Sequence, residues 1–179
     1  MHAFLHVASS DEIEGLLHCH PHLNRLDGFP GVRATATRTA SPTVPPQIKV
    51  VVDTDFDKQR NVAVVSGGGS GHEPMHAGFV GAGMLAASAA GEVFASPSVE
   101  TVLAAIHAVT GPPGCLLLVN NYTGDRLNFG IAAERARAAG LQVKVVFIAD
   151  DCAVANPGVV GPRGLAGCML VVKVRCIVA

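Results

Sequence analysis

The chain has 179 residues, 49% of them hydrophobic and 15% charged, which suits one domain with a sizeable core. Its net charge of −1 gives no argument for nucleic acid or for an acidic membrane surface, and its apolar runs are too short to span a bilayer. The five cysteines are odd in number and form no C-x-x-C pair, so neither a disulfide framework nor a zinc ribbon is indicated, and a reducing cytosol is expected.

Residues 11–17 have helical spacing, with Ile13, Leu16 and Leu17 on one face and Ser9, Ser10 or Asp11 available as a cap. His18, Cys19, His20 and His22 follow, too crowded for a well-shaped metal site and interrupted by Pro21; they read as a polar helix end. Residues 29–46, rich in Thr, Ala, Pro and Gly, predict a loop. Short strands are predicted at 48–52 and 62–65. Residues 75–90 have apolar positions at helical intervals and predict a helix, despite Gly78, Gly81 and Gly83. A strand at 93–95 follows, then a helix that Ser96-Pro97-Ser98-Val99-Glu100 opens and that continues to Val109, with Ser98 available as its cap. Next come a buried strand at 115–119 and a helix over 127–139 that Gly140 ends. A strand at 143–148, a Gly/Pro loop over 156–167 and a last strand at 169–174 complete the chain. The alternation predicts an α/β fold, with a mainly parallel central sheet of about five strands and helices on both faces.

The stretch that organises the rest runs from Val62 to His76. Four apolar residues lead into Ser66, then Gly67, Gly68 and Gly69, then Ser70, Gly71, His72, Glu73 and Pro74. It reads as a strand, a tight turn and a helix start, with Pro74 in the first helical turn. Several familiar motifs nearly match. His72 occupies the last glycine position of G-x-G-x-x-G, and it also breaks the phosphate loop and the nucleophile elbow around Ser70. H-E-x-x-H matches literally as His72, Glu73 and His76, but a zinc protease needs those histidines on one continuous helix with a third ligand further on. A glycine turn and an internal proline argue against that. Three strands end in polar clusters expected on one sheet edge: Ser66 to His72, Asn120 to Asp125, and Asp150-Asp151. Open α/β sheets bind ligands at that edge.

Ser66-Gly67-Gly68-Gly69-Ser70-Gly71-His72-Glu73-Pro74 resembles the signature of the dihydroxyacetone kinases, in their substrate-binding (K) domain. Similar blocks recur in order: Gly81 to Leu85, Gly91-Glu92-Val93-Phe94, Ser96-Pro97, Asn121-Tyr122-Thr123-Gly124-Asp125, Leu127-Asn128-Phe129-Gly130 and Gly164-Leu165-Ala166-Gly167. The likeness covers roughly residues 11–174, and the run from Arg126 to Gly130 looks more like the single-chain, ATP-using animal enzymes (triokinase/FMN cyclase) than the bacterial phosphotransferase-fed ones. The resemblance implies phosphoryl transfer from ATP to a hydroxyl of dihydroxyacetone. It implies that Gly69, Ser70, Gly71 and His72 line a triose pocket, with Asn120 where the family usually has a substrate-binding lysine. Asp125 would be the general base and His72 a hydrogen-bonding partner that helps move the proton. It also implies a cytoplasmic homodimer, with ATP and Mg2+ held by a separate (L) domain.

Gly161-Pro162-Arg163-Gly164 stands where the family usually has Gly-Arg-Arg-Gly. The family's K domain is about twice as long, and its second half carries a histidine that bonds covalently to the substrate carbonyl. The chain is therefore expected to be the N-terminal part of such a domain, inactive by itself. Two other readings stand beside the kinase: a triose-binding module without turnover, and a metalloprotein built on H-E-x-x-H. Plain structural roles are a helix cap for Asp125 and a turn histidine for His72.

Overall fold

The structure is a computed structural model that describes residues 32–38 and 47–178. The helix expected at 11–17 and the cluster of His18, Cys19, His20 and His22 lie outside them. Among the described residues six strands form one sheet: β1 Val32–Arg38, β2 Gln47–Asp53, β3 Ala63–Ser70, β4 Ala87–Val93, β5 Cys115–Asn120 and β6 Val143–Ile148, in the order β1-β2-β4-β3-β5-β6. β4, β3, β5 and β6 run parallel. β2 is antiparallel to both of its neighbours. Among the described residues three α-helices accompany the sheet: α1 Val99–Val109, α2 Thr123–Ala138 and α3 Cys168–Val178. The expected α/β architecture, with helices on both faces, is present.

Successive strand residues point to opposite faces, and both faces of the central strands are covered. Val65, Leu117 and Val119 face α1 and α2, where they meet Val102, Ile106, Phe129 and Ala133. Val64, Leu116 and Leu118 face the other way, onto Val80, Leu85, Cys168 and Val172. Strands covered on both sides read as unbroken apolar runs, which is why 115–119 was legible. Burying a side chain as large as Phe129 contributes about 1.5–3 kcal/mol. Ser98 caps α1 as expected, accepting from the Thr101 N–H at 3.2 Å.

Five elements differ from expectation, one of them the strand predicted at 93–95: β4 ends at Val93, and the next two residues turn. The helix predicted over 75–90 is instead turns, a single 3-10 turn at Ala77–Phe79, and then β4. The loop predicted over 29–46 contains β1, and the strand predicted at 169–174 lies within α3. β3 also continues through Gly67, Gly68 and Gly69, which were expected to turn, with a register shift against β4 between Gly68 and Ser70. A Cβ at Gly67 would collide with the Ala89 carbonyl of β4, so glycine serves close strand approach here rather than a bend.

Candidate active site

β3 pairs with β4 on one side and β5 on the other. The chain leaves β3 toward β4 over one face and returns from β4 to β5 through α1 on the opposite face. The carboxyl end of β3 is therefore a topological switch point, where an open sheet leaves a crevice. A cavity of about 600 Å³ opens there, walled by segments that follow β3, β4, β5 and β6.

Asp125, His72, Gly69 and Asn120 all line this cavity, so the structure brings these four sequence candidates together. Ser70 and Gly71 stand outside the lining. The Ser70 hydroxyl donates to the Gly91 carbonyl at 2.7 Å, and Gly71, at φ +103°, donates its N–H to Glu73 Oε1 at 3.1 Å. Those two shape the turn; they do not face the cavity.

Asp125 lies in the first turn of α2, whose cap position is Tyr122, with no side-chain cap bond. The cap role is thus not the one Asp125 fills. Its side chain is 9% exposed and its Oδ1 has no hydrogen-bond partner among the described residues. Burial raises its pKa, while the Ser96 hydroxyl and His72 favour the charged form. The Ser96 hydroxyl completes no hydrogen bond among the described residues, so its pull is that of a nearby dipole. The first turn of a helix adds favourable dipole for a carboxylate. The outcome is a sheltered carboxylate in the cavity wall, a group of the kind that takes a proton from a bound hydroxyl.

His72 sits exposed at the rim, and His76, beneath it, is 5% exposed. Burial first, and the neighbouring His72 second, bring the His76 pKa down to about 4, so this imidazole is neutral near pH 7. The segment from His72 to His76 is turn, not helix, and among the described residues no three His, Cys, Asp or Glu side chains gather as a metal ion would need. The zinc-protease geometry of H-E-x-x-H is absent.

Sequence reasoning missed His76, Ser96 and Phe94 as parts of the wall. Ser96 followed a strand end, a usable signal, but it read as the opening of a helix. Phe94 takes φ 50°, an uncommon backbone angle for a bulky residue, and its ring lies against Gly71. The loop over 156–167 closes the cavity from the β6 side. Asn121 holds it by donating to the Val160 carbonyl at 3.0 Å and to the Pro162 carbonyl. The Arg163 guanidinium stacks 5.8 Å from the Tyr122 ring. Gly164 packs directly under Asn120, where a Cβ would come within 2.8 Å of the Asn120 Cβ.

A profile of the Dak1 domain matches residues 34–179. The dihydroxyacetone kinase of Citrobacter freundii is 59% identical over 129 residues, covering 72% of this chain and 23% of its own. The triokinase/FMN cyclase of Homo sapiens is 46% identical over 169 residues, covering 93% of this chain and 26% of its own. The crystal structure of C. freundii dihydroxyacetone kinase in complex with AMP-PNP and Mg2+ matches with a TM-score of 0.73 at 49% identity, over 93% of this chain and 28% of that one. The chain spans about a quarter of the length of the curated relatives it matches. A matching profile over most of the chain, with relatives and a solved structure that agree, places it in one family: the chain belongs to the Dak1-domain family of the dihydroxyacetone kinases.

Proposed function

We propose that this chain provides the triose-binding part of an ATP-dependent dihydroxyacetone kinase. The observation that carries the reading is Asp125, a sheltered carboxylate with an unpartnered oxygen, sharing one cavity with His72 at the switch point. A hydroxyl attacking a phosphoryl group needs positioning and a proton acceptor more than covalent help. Asp125 takes the hydroxyl proton; His72, at the rim, hydrogen-bonds the same substrate and assists the transfer. Gly69 and Asn120 line the same cavity, Asn120 standing where the family usually has lysine.

Among the described residues no three His, Cys, Asp or Glu side chains gather to hold a metal ion. On the family reading ATP and Mg2+ are assigned to another part of a longer protein, where they supply the transferred group and neutralise its charge. On the same family reading, the complete enzyme is a cytosolic homodimer, and glyceraldehyde is a further triose to test. Among the described residues no helix is long and apolar enough to cross a membrane, and Cys115, Cys152 and Cys168 are free thiols.

The test is an NMR titration of the 179-residue chain with dihydroxyacetone and, separately, glyceraldehyde. Expected are saturable shifts at Gly69, His72, Asn120 and Asp125, without turnover when Mg–ATP is added. Shifts confined to other surfaces, or none, would overturn the assignment. If triose binds this chain, but a longer protein carrying the domain still shows no turnover, the non-catalytic binding module is favoured.

A further inference from the structure

We propose that His76 is a positioning residue for His72: its buried ring stands edge to face against the His72 ring and fixes where that imidazole points in the cavity. The inference rests on the reading of His72 as a substrate contact.

The two ring centroids are 5.9 Å apart and the ring planes meet at 81°. Edge-to-face geometry at this separation is the favoured arrangement for ring pairs. Both rings converge on the backbone of Gly68. A Cβ there would lie 3.2 Å from His76 Cε1 and 3.9 Å from His72 Nε2. Gly68 thus clears the space that lets both imidazoles lean over β3. His76 is buried, yet neither ring nitrogen has a hydrogen-bond partner among the described residues. A buried polar side chain left unpaired calls for an explanation. It is not holding a backbone group, and no set of metal ligands gathers around it. Its ring does lie against the ring of His72. Two properties suit the role. The ring is buried, and it is neutral near pH 7, so it brings no charge against His72.

Two readouts on the 179-residue chain test this. The first is a double-mutant cycle on dihydroxyacetone binding, followed by NMR titration. His76→Ala is expected to weaken binding about tenfold, a shift of about 1.4 kcal/mol. His76→Phe, which keeps a neutral ring edge, should stay within about twofold. In a His72→Gln background, His76→Ala should change binding by no more than about twofold, because the residue through which it acts is gone. Equal weakening by His76→Ala in both backgrounds would overturn the proposal, as would equal weakening by Phe and Ala, or none by either. The second readout needs no ligand: the mobility of the His72 ring, from relaxation of its Cε1–H group. It should rise in His76→Ala and not in His76→Phe; unchanged mobility in His76→Ala overturns the proposal. Failure of the wild-type chain to bind triose would sink the functional reading while this second readout still decides the positioning role. If His76→Ala does not fold, His76→Leu, which fills the space without a ring, takes its place with the same outcomes.

Discussion

Asp150, exposed at the end of β6, accepts two backbone hydrogen bonds from the loop that walls the cavity: Leu165 N–H at 2.6 Å and Gly167 N–H at 2.8 Å. Leu165 and its neighbours Gly164 and Ala166 line the cavity, so one carboxylate ties the β6 strand end to the site. The Leu165 bond, chiefly, holds the Asp150 pKa below its ordinary value. A depressed carboxylate pKa stabilises the fold above the ordinary range and loses that contribution as pH falls through the lowered value. Asp150→Ala should therefore loosen the loop locally, with a global cost of only about 1 kcal/mol because the carboxylate is exposed. Hydrogen exchange should speed up at Leu165 and Gly167 and stay unchanged in β3 and β5. Uniform acceleration across the sheet would show that the loop is not a separate unit.

Gly69→Ala should damage the fold as well as the site. A Cβ at Gly69 would sit 2.7 Å from the Ala95 nitrogen and 2.9 Å from the Phe94 carbonyl carbon. Both are backbone atoms and cannot rotate away. Over-packing of this kind costs about 1–3 kcal/mol. A urea midpoint equal to wild type would mean the segment after β4 yields more easily than its geometry suggests.

The long apolar strands and the polar ends of β3, β5 and β6 were readable because their physics is local: an apolar run, then glycine or Asx. The misread elements have non-local causes. In β4, Ala87 and Ala89 are fully buried, and their small side chains suit the crowding between β2, β3 and α1. The apolar positions over 75–90 fall at helical intervals by chance, and alanine favours helix by intrinsic propensity. Within α3 the valines suggested a strand, and a short apolar run cannot be assigned by periodicity alone. Cys168 and Val172, four residues apart and both buried, are the helical signal that the run concealed. His76 escaped notice as a site residue because its burial and its partner His72 are set by a turn that no sequence spacing specifies.

His76 also predicts an acid-sensitive fold. Its pKa is lowered from 6.5 to about 4. Between those values the unfolded chain binds a proton that the folded chain refuses, so stability falls as pH drops through that window. At 1.36 kcal/mol per unit the loss approaches ~3 kcal/mol by pH 4. His76→Phe removes the titrating group. Urea unfolding at pH 7 and pH 4.5 should show wild type losing clearly more stability than the variant. Parallel losses in both proteins would place the acid sensitivity elsewhere.

Asp125→Asn separates function from stability, because the two should move in opposite directions. Burial raises the Asp125 pKa, so the fold bears a penalty for the charged carboxylate. The sign follows from linkage: a carboxyl whose folded pKa is raised binds its proton more tightly when folded, so its contribution falls as pH rises through the window above its ordinary value. Replacing it with a neutral amide of similar shape removes that penalty, and no cap bond is lost, since the cap position is Tyr122. The melting temperature at pH 7 should rise, by about 2–4 °C for each kcal/mol relieved in a domain of this size. In a longer protein that carries this domain and turns over triose, the same change should lower kcat by about 10²–10⁴-fold, the usual effect of losing a general base. His72→Asn should be milder, because an amide can still hydrogen-bond substrate. A variant that is more stable and nearly inactive would match a carboxylate kept for chemistry at the expense of stability. Unchanged kcat with intact triose binding would remove Asp125 from the base role, and a lower melting temperature would mean that its carboxylate holds the fold through contacts the amide cannot make.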